Sequence, residues 1–215
     1  MDISWLGHSC FRLRSEQVVV LTDPYSSDSL GLRLGDPSAN TITVSHQHPH
    51  HSHVDEVTGP FKVFQGPGEY EYMGTLVKGV MTSPGPGDPP DKRNTAYHIE
   101  IEGLRLCHLG DISSSLTPRQ IDELTPADVV FLPVGEVCTV AVGQAMEMVR
   151  ALSPRIVVPM HFALPGLGVQ LGGLDTFLRE MGAAGSEPQS RLNVTATNLP
   201  SEMRVVVLNA QGVRT

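Results

Sequence analysis

No stretch of this 215-residue sequence approaches the ~18 uninterrupted apolar residues of a membrane-spanning helix, so a membrane partner is not expected. The N-terminus, Met1-Asp2-Ile3-Ser4-Trp5-Leu6-Gly7, has neither the basic region nor the apolar stretch of a signal peptide. Cysteine is scarce. Cys10, Cys107 and Cys138 lie far apart and form no CxxC pair, which argues against a disulfide framework and fits a reducing compartment. Positive charge is short as well: 15 Lys and Arg face 23 Asp and Glu, a formal net charge of −8. A field of that sign repels phosphate backbones, and no basic patch overrides it, so no nucleic-acid partner is expected. The pair Lys92-Arg93 is the one small basic group in an interesting place, and it reads as solvated loop charge. A soluble, cytoplasmic protein is the expectation.

What the sequence has in excess is histidine in one place. His46, His48, His50, His51 and His53 fall within eight residues, directly after the β-type run Thr41-Ile42-Thr43-Val44-Ser45. Neutral imidazole is the commonest protein ligand for zinc and related metals. A cluster at the end of a strand lets several rings converge on rigid backbone. A solvated loop would draw on Ser, Asp, Lys and Gly instead, and a purification tag would sit at a terminus.

The first half of the chain is strand-like and turn-rich. Short β-prone runs cover residues 3–6, 10–14 and 17–21, the last apolar without alternation, as expected for a strand buried on both faces. Residues 61–64 and 76–81 are further strand candidates around the turn Gly66-Pro67-Gly68. Residues 83–91, Ser-Pro-Gly-Pro-Gly-Asp-Pro-Pro-Asp, can form neither helix nor central strand. They read as a long surface loop, of the kind that often borders a site.

The second half alternates strand and helix. Residues 94–102 and 104–109 form an expected hairpin around Gly103. Thr117-Pro118-Arg119-Gln120 is a helix start, with Thr as N-cap, Pro first in the helix and Gln three after the cap. A helix over 142–152 carries Ala145, Met148, Val149 and Leu152 on one face. Apolar strands are expected over 129–134 and 155–160, a short helix over 174–181 and a final strand over 204–208. No internal repeat appears at a solenoid period. With 40% hydrophobic content the chain can bury one large core or two closely packed halves, and strands resume at once on both sides of the 83–91 loop. The expectation is an α/β protein with a single domain over residues 1–215.

Several ligand-type residues stand at strand ends, where an α/β sheet commonly builds its site. Asp111 follows Leu109-Gly110, where the glycine permits close backbone approach, and His161 follows Ile156-Val157-Val158-Pro159-Met160. His8 lies between the first two strands, and Asp23 ends the third.

These strings resemble the metallo-β-lactamase superfamily, whose signature is H-x-H-x-D-H after a buried strand. Within it the chain is similar to the branch containing the L-ascorbate-6-phosphate lactonase and many metal-dependent hydrolases. The resemblance rests on Trp5-Leu6-Gly7-His8-Ser9-Cys10-Phe11, Leu21-Thr22-Asp23-Pro24 and Thr43-Val44-Ser45-His46-Gln47-His48. It continues through Gly66-Pro67-Gly68-Glu69-Tyr70, His108-Leu109-Gly110-Asp111 and Val158-Pro159-Met160-His161, in the family's order. It implies an αββα four-layer sandwich with a metal site at one edge. It also implies that His46 and His48 are ligands of a first metal and His51 of a second, that Asp111 bridges the two, and that His161 completes the second site. His8 is expected near the site without a firm ligand role. The implied cofactor is zinc, one or two ions, with manganese or iron as alternatives, and the implied chemistry is hydrolysis by metal-activated water.

Two positions depart from the family pattern. The signature aspartate is His50, which can ligate but brings no negative charge. A further first-metal histidine is missing: none lies between His53 and His98, and its place falls near Ser83-Pro84-Gly85. A mononuclear or altered centre is therefore expected, with His50 or His51, together with Asp111 and His161, as its ligands and an open water position, and with Asp111 and His50 as the candidate catalytic positions. Two functions follow. One is a hydrolase of a small-molecule ester, lactone, amide or phosphoester; the other is a degenerate, non-catalytic metal- or ligand-binding member of the fold. A nuclease is disfavoured by the charge. Of the remaining candidates, His53 is expected to face solvent and His98 to be a satisfied strand histidine. His108 is a packing residue or a support behind the ligands, and Cys10 a buried inert thiol.

Overall fold

In the computed structural model, which describes residues 1–89 and 91–213, short apolar runs do most of the construction. The N-terminal hairpin β1 (Asp2–Gly7) and β2 (Cys10–Arg14) is followed by β3 (Val19–Thr22). A one-turn helix α1 (Ser27–Leu30) then leads to β4 (Thr41–Val44) and β5 (Lys62–Gln65). The next four strands are β6 (Gly68–Tyr72), β7 (Thr75–Thr82), β8 (Asn94–Ile101) and β9 (Leu104–His108). Helix α2 (Pro118–Leu124), β10 (Val129–Pro133), α3 (Val142–Leu152), β11 (Ile156–Met160) and α4 (Asp175–Glu180) complete the alternating part. Two short strands, β12 (Leu192–Asn193) and β13 (Arg204–Val205), close the chain's path.

These strands form two sheets, in the orders β12-β1-β2-β3-β4-β5 and β13-β11-β10-β9-β8-β7-β6. Each sheet changes from antiparallel to parallel partway across: β1, β2 and β3 alternate in direction, whereas β3, β4 and β5 run together. Likewise β6 to β9 alternate, and β9, β10, β11 and β13 run together. Parallel neighbours end side by side, so the C-terminal ends of β3 and β4, and of β9, β10 and β11, make two adjacent rims. That is where an α/β sheet places its site.

Side-chain alternation in the first sheet produces two cores. Ile3, Trp5, Phe11, Leu13 and Val20 point to the second sheet and join its buried apolar residues. Leu6, Cys10, Leu21, Ile42 and Val44 point the other way, onto Tyr25, Leu30, Leu32 and Val57. Burying a side chain such as Phe11 or Leu13 stabilises by roughly 1.5–3 kcal/mol, and both are fully buried. On the second sheet α3 packs through Val142, Ala145, Met148, Val149 and Leu152. The layers are those of an αββα sandwich, with uneven helical cover: loops and the four-residue α1 do for the first sheet what α2 and α3 do for the second.

Most elements match the sequence pattern. The Thr117 hydroxyl accepts from Gln120 N and the Gln120 amide oxygen accepts from Thr117 N, the reciprocal cap expected there. The differences have physical reasons. Strand β6 begins at Gly68, directly after the turn, and its Glu-Tyr-Glu-Tyr course is too polar and exposed to look like a strand. The final strand ends at Val205; beyond it the chain leaves β11, and Leu208 makes only an isolated bridge with Gln189. Residues 83–89 and 91 are loop, as expected; Pro90, and Arg214 and Thr215 at the end of the expected domain, lie outside the described residues.

Asp128, at the start of β10, shows how the parallel strands are tied at their other end. Its carboxylate accepts from Arg105 N and Nε at 2.9 Å each and from Nη2 at 2.7 Å. Burial alone would raise its pKa, but the Arg105 hydrogen bonds outweigh burial and hold the carboxyl below its ordinary value. A depressed carboxyl stabilises the fold above its unfolded value, and that contribution is lost as pH falls through the folded value. Asp128→Asn is therefore expected to cost about 1–3 kcal/mol in urea denaturation at neutral pH. The gap from the parent should close in acid; a gap that persisted at the lowest accessible pH would contradict this assignment.

Candidate metal centre

Six histidines meet at the rims described above. Gly7-His8 ends β1, Thr22-Asp23 ends β3, Ser45-His46 follows β4, Leu109-Gly110-Asp111 follows β9 and His161 follows β11. The rims are fastened across the sheets by backbone and core groups. His161 N donates to His8 O at 3.1 Å, and the buried Trp5 Nε1 donates to the same carbonyl at 3.0 Å. Tyr97 OH donates to Val44 O at 2.7 Å, and Thr95 N to Ser45 O at 2.8 Å. Backbone conformation is unusual at these corners. His8, Asp23 and His161 have φ of 52°, 38° and 54°, a left-handed region that non-glycine residues seldom occupy. Such strain collects at functional sites.

Asp23, buried with no exposure, organises the histidines around it. Its Oδ1 accepts from Ser45 N at 2.8 Å, and its Oδ2 accepts from Ser45 Oγ at 2.6 Å. The same Oδ2 lies 2.9 Å from His51 Nδ1. A carboxylate can only accept, so His51 carries its proton on Nδ1 and keeps the Nε2 lone pair for the centre. Ser45 has spent its one hydroxyl proton on Asp23, so its contact with His46 Nδ1 at 3.1 Å is donated by the imidazole, which leaves His46 Nε2 free too. One buried carboxylate thus sets the tautomer of two candidate ligands, the role that outer-shell carboxylates play around metals.

Asp111 stands between two groups. Its Oδ1 is 3.5 Å from His161 Nε2 and 3.8 Å from the Cys138 thiol; its Oδ2 is 3.9 Å from His46 Nε2 and 3.8 Å from Lys92 Nζ. The buried side chain of Asn94 holds the peptide in place: its Oδ1 accepts from Asp111 N at 2.8 Å, and its Nδ2 donates to Leu109 O at 3.1 Å. Gly110, with φ of 61°, has no room for a side chain, because a Cβ would run into Asn94 Oδ1 and Ser45.

Among the described residues, three sets of side chains bring their ligand atoms within 4.8 Å of one another: His8, His51 and His161; His46, His51 and Asp111; Asp111, Cys138 and His161. Of the candidates named from the sequence, the structure therefore gathers His46, His51, Asp111 and His161. His48 and His50 remain at the rim. His48 is exposed, and its Nδ1 accepts from His50 N at 3.2 Å; His50 sets its ring edge-on to His8 with centroids 5.9 Å apart. His8 and Cys138 enter instead. His53 pairs with Glu56 at 3.5 Å, His98 Nε2 meets Pro126 O at 2.9 Å, and the buried His108 meets Ser9 O at 2.8 Å.

The electrostatics call for a cation. Burial pushes the Asp111 carboxyl up to about 7 despite the nearby Lys92. Burial also lowers His161 to about 3, drives His8 and His51 well below the ordinary value and lowers His46, so the imidazoles are neutral and ready to ligate. At Cys138, partial burial and then the charge of Asp111 push the thiol up to about 12. Nδ1 of His8 and of His161 are buried without a hydrogen-bond partner, an arrangement that asks for an explanation. An ion among these nitrogens and carboxylate oxygens fits that donor set.

The organising residues have little signature in the sequence. Asp23 was visible as a strand-end acid, but its role depends on β3 and β4 pairing in parallel. Asn94, Ser45 and Cys138 carry no sequence signal of their own, and Lys92 looked like solvated charge.

Comparison with known proteins places these features in company. Residues 2–161 match the family model described as the beta-lactamase superfamily domain. A UPF0173 protein of Pyrococcus abyssi is 26% identical over 207 residues, covering 84% of this chain and 90% of that protein. A UPF0173 metal-dependent hydrolase of Pyrobaculum calidifontis is 30% identical over 193 residues, covering 75% and 84% respectively. Among solved structures, one from Thermotoga maritima superposes with a TM-score of 0.81 and 33% identity over 96% of this chain and 97% of its own. That protein is provisionally described as a Zn-dependent hydrolase of the metallo-beta-lactamase superfamily.

Proposed function

Because this chain belongs to the family of the beta-lactamase superfamily domain, we propose that it is a metal-dependent hydrolase of a small-molecule ester, lactone, amide or phosphoester. The observation that supports this best is the three overlapping sets that His8, His46, His51, Asp111, Cys138 and His161 form at the joined rims of two sheets. Imidazole nitrogen with carboxylate oxygen suits zinc, and also admits manganese or iron. Each of the three sets contains two of His51, Asp111 and His161, and these would hold the ion with His8, His46 or Cys138 as the third ligand. When bound, a divalent ion supplies a nucleophile at neutral pH and polarises the group under attack.

The chain's own residues prepare the ground. Asp23 and Ser45 keep His51 and His46 in the ligating tautomer, and Asn94 fixes the Asp111 peptide. The two sheets share one apolar cluster, which supports reading residues 1–215 as a single domain.

Untagged protein is expected to retain a divalent ion through purification and to hydrolyse at least one member of a panel of lactones, esters and phosphodiesters. Chelation should abolish turnover, and restoring the ion should recover it. A bound ion with no turnover across the panel would favour the second reading, a non-catalytic metal- or ligand-binding member. That reading is motivated by His50 at the signature position and by the loop without histidine. Protein that neither retains nor takes up an ion would sink the hydrolase reading and the metal-binding form of the second.

A further inference from the structure

Lys92 is the group that the metal-dependent reading leaves unused. It arrives from the Pro/Gly loop, the segment where a first-metal histidine is missing. Its side chain is only 19% exposed, and its three ammonium donors have three acceptors around them. Nζ lies 3.3 Å from Asp88 Oδ1, 3.3 Å from the Cys138 carbonyl and 3.8 Å from Asp111 Oδ2. The loop that carries it is anchored, since Asp88 Oδ2 also accepts from Gly85 N and from Ser113 Oγ. This is a lysine held in place by its surroundings.

The division of Asp111 gives that position its meaning. Oδ1 faces His161 and Cys138, whereas Oδ2 faces His46 and Lys92. A cation at Oδ2 is already supplied by the chain. We propose that Lys92 stands in for a second ion, so that the centre takes up one divalent ion and not two; this rests on the metal-dependent reading above. Charge supports it. Asp111 and the two aspartates whose charges bear on it, Asp23 and Asp88, bring three negative charges when ionised. Lys92 and one divalent ion bring three positive charges; a second divalent ion would leave two in excess and would press against the ammonium. Removing the ammonium should reverse the situation, because the set of His46, His51 and Asp111, whose ligand atoms lie within 4.8 Å of one another, would then have no cation beside Asp111 Oδ2.

The test is a stoichiometry. Zinc is titrated into the demetallated full chain against a chromophoric chelator, and the retained metal is counted by elemental analysis after desalting. The parent should saturate at one equivalent, Lys92→Met should take up a second, and Lys92→Arg, which keeps the charge, should stay at one. Should Lys92→Met fail to fold by circular dichroism, Lys92→Gln replaces it with the same expectation. Two equivalents in the parent, or one in the uncharged variant, would overturn the proposal while leaving the hydrolase reading intact. No zinc in any of them would overturn the proposal, and no manganese or iron either in the same titration would end the hydrolase reading too.

Discussion

Asp111→Asn is expected to fold, to lose at least about 100-fold in zinc affinity and to lose turnover with it, since this removes a candidate ligand where even outer-shell changes cost 10–100-fold. Asparagine has the same shape, and Asn94 binds the peptide N–H rather than the side chain, so the local backbone should survive. What disappears is the negative charge shared among His46, His161, Lys92 and Cys138. The stability of the metal-free protein should move the other way. Asp111 is raised to about 7 by burial, so its ionisation weakens the fold increasingly above the ordinary carboxylate value and fully above about 7. Metal-free Asp111→Asn should therefore melt no lower than the metal-free parent at pH 8. Zinc competition and thermal unfolding, each with and without chelator, give both readings. Undiminished zinc affinity would remove Asp111 from the ligand set.

The second large effect is expected one residue deeper. Asp23→Asn should weaken zinc binding about 10–100-fold without touching the ion, because its target is a tautomer. Any amide orientation that keeps the Ser45 N contact at Oδ1 points NH₂ at Ser45 Oγ and His51 Nδ1. His51 Nδ1 must then accept, which drives its proton onto Nε2 and blocks the atom left for the centre. The discriminating readout is ¹⁵N NMR of the imidazoles in the metal-free protein, which distinguishes the two tautomers. A variant that loses zinc affinity while His51 keeps its proton on Nδ1 would show that Asp23 acts through packing instead.

How much of this was legible in the sequence depends on how local each cause is. Helix α3 could be read from one apolar face, α2 from its cap, and β10 and β11 from uninterrupted apolar runs, because each signal lies within the element. Asp111 and His161 can be noticed as candidates for the same reason, as ligand-type residues just after a strand, and His51 as part of the histidine run. The polar β6 and the two-residue β12 are strands only because a neighbour pairs with them. The site's organisers follow the same rule. Asp23 acts because β3 lies beside β4, and Lys92 acts because the folds of three separate segments bring Asp88, Asp111 and Cys138 around it. The histidine run drew attention to His48 and His50, yet ring direction after a turn is a tertiary matter, and both stayed at the rim.

The left-handed corners at His8, Asp23 and His161 carry a last implication, for the order in which the molecule comes apart. Each costs roughly 1–2 kcal/mol over a relaxed backbone, offset at His8 and His161 by the bond between sheets from His161 N to His8 O, and at Asp23 by Thr43, Ser45 and His51. Strands β10 and β11, buried along their whole length, carry no such debt. Opening should therefore start at the rims and spread inward, with the sheets persisting after the site has frayed. An ion bridging the corners would act as a clasp on the least settled part of the chain.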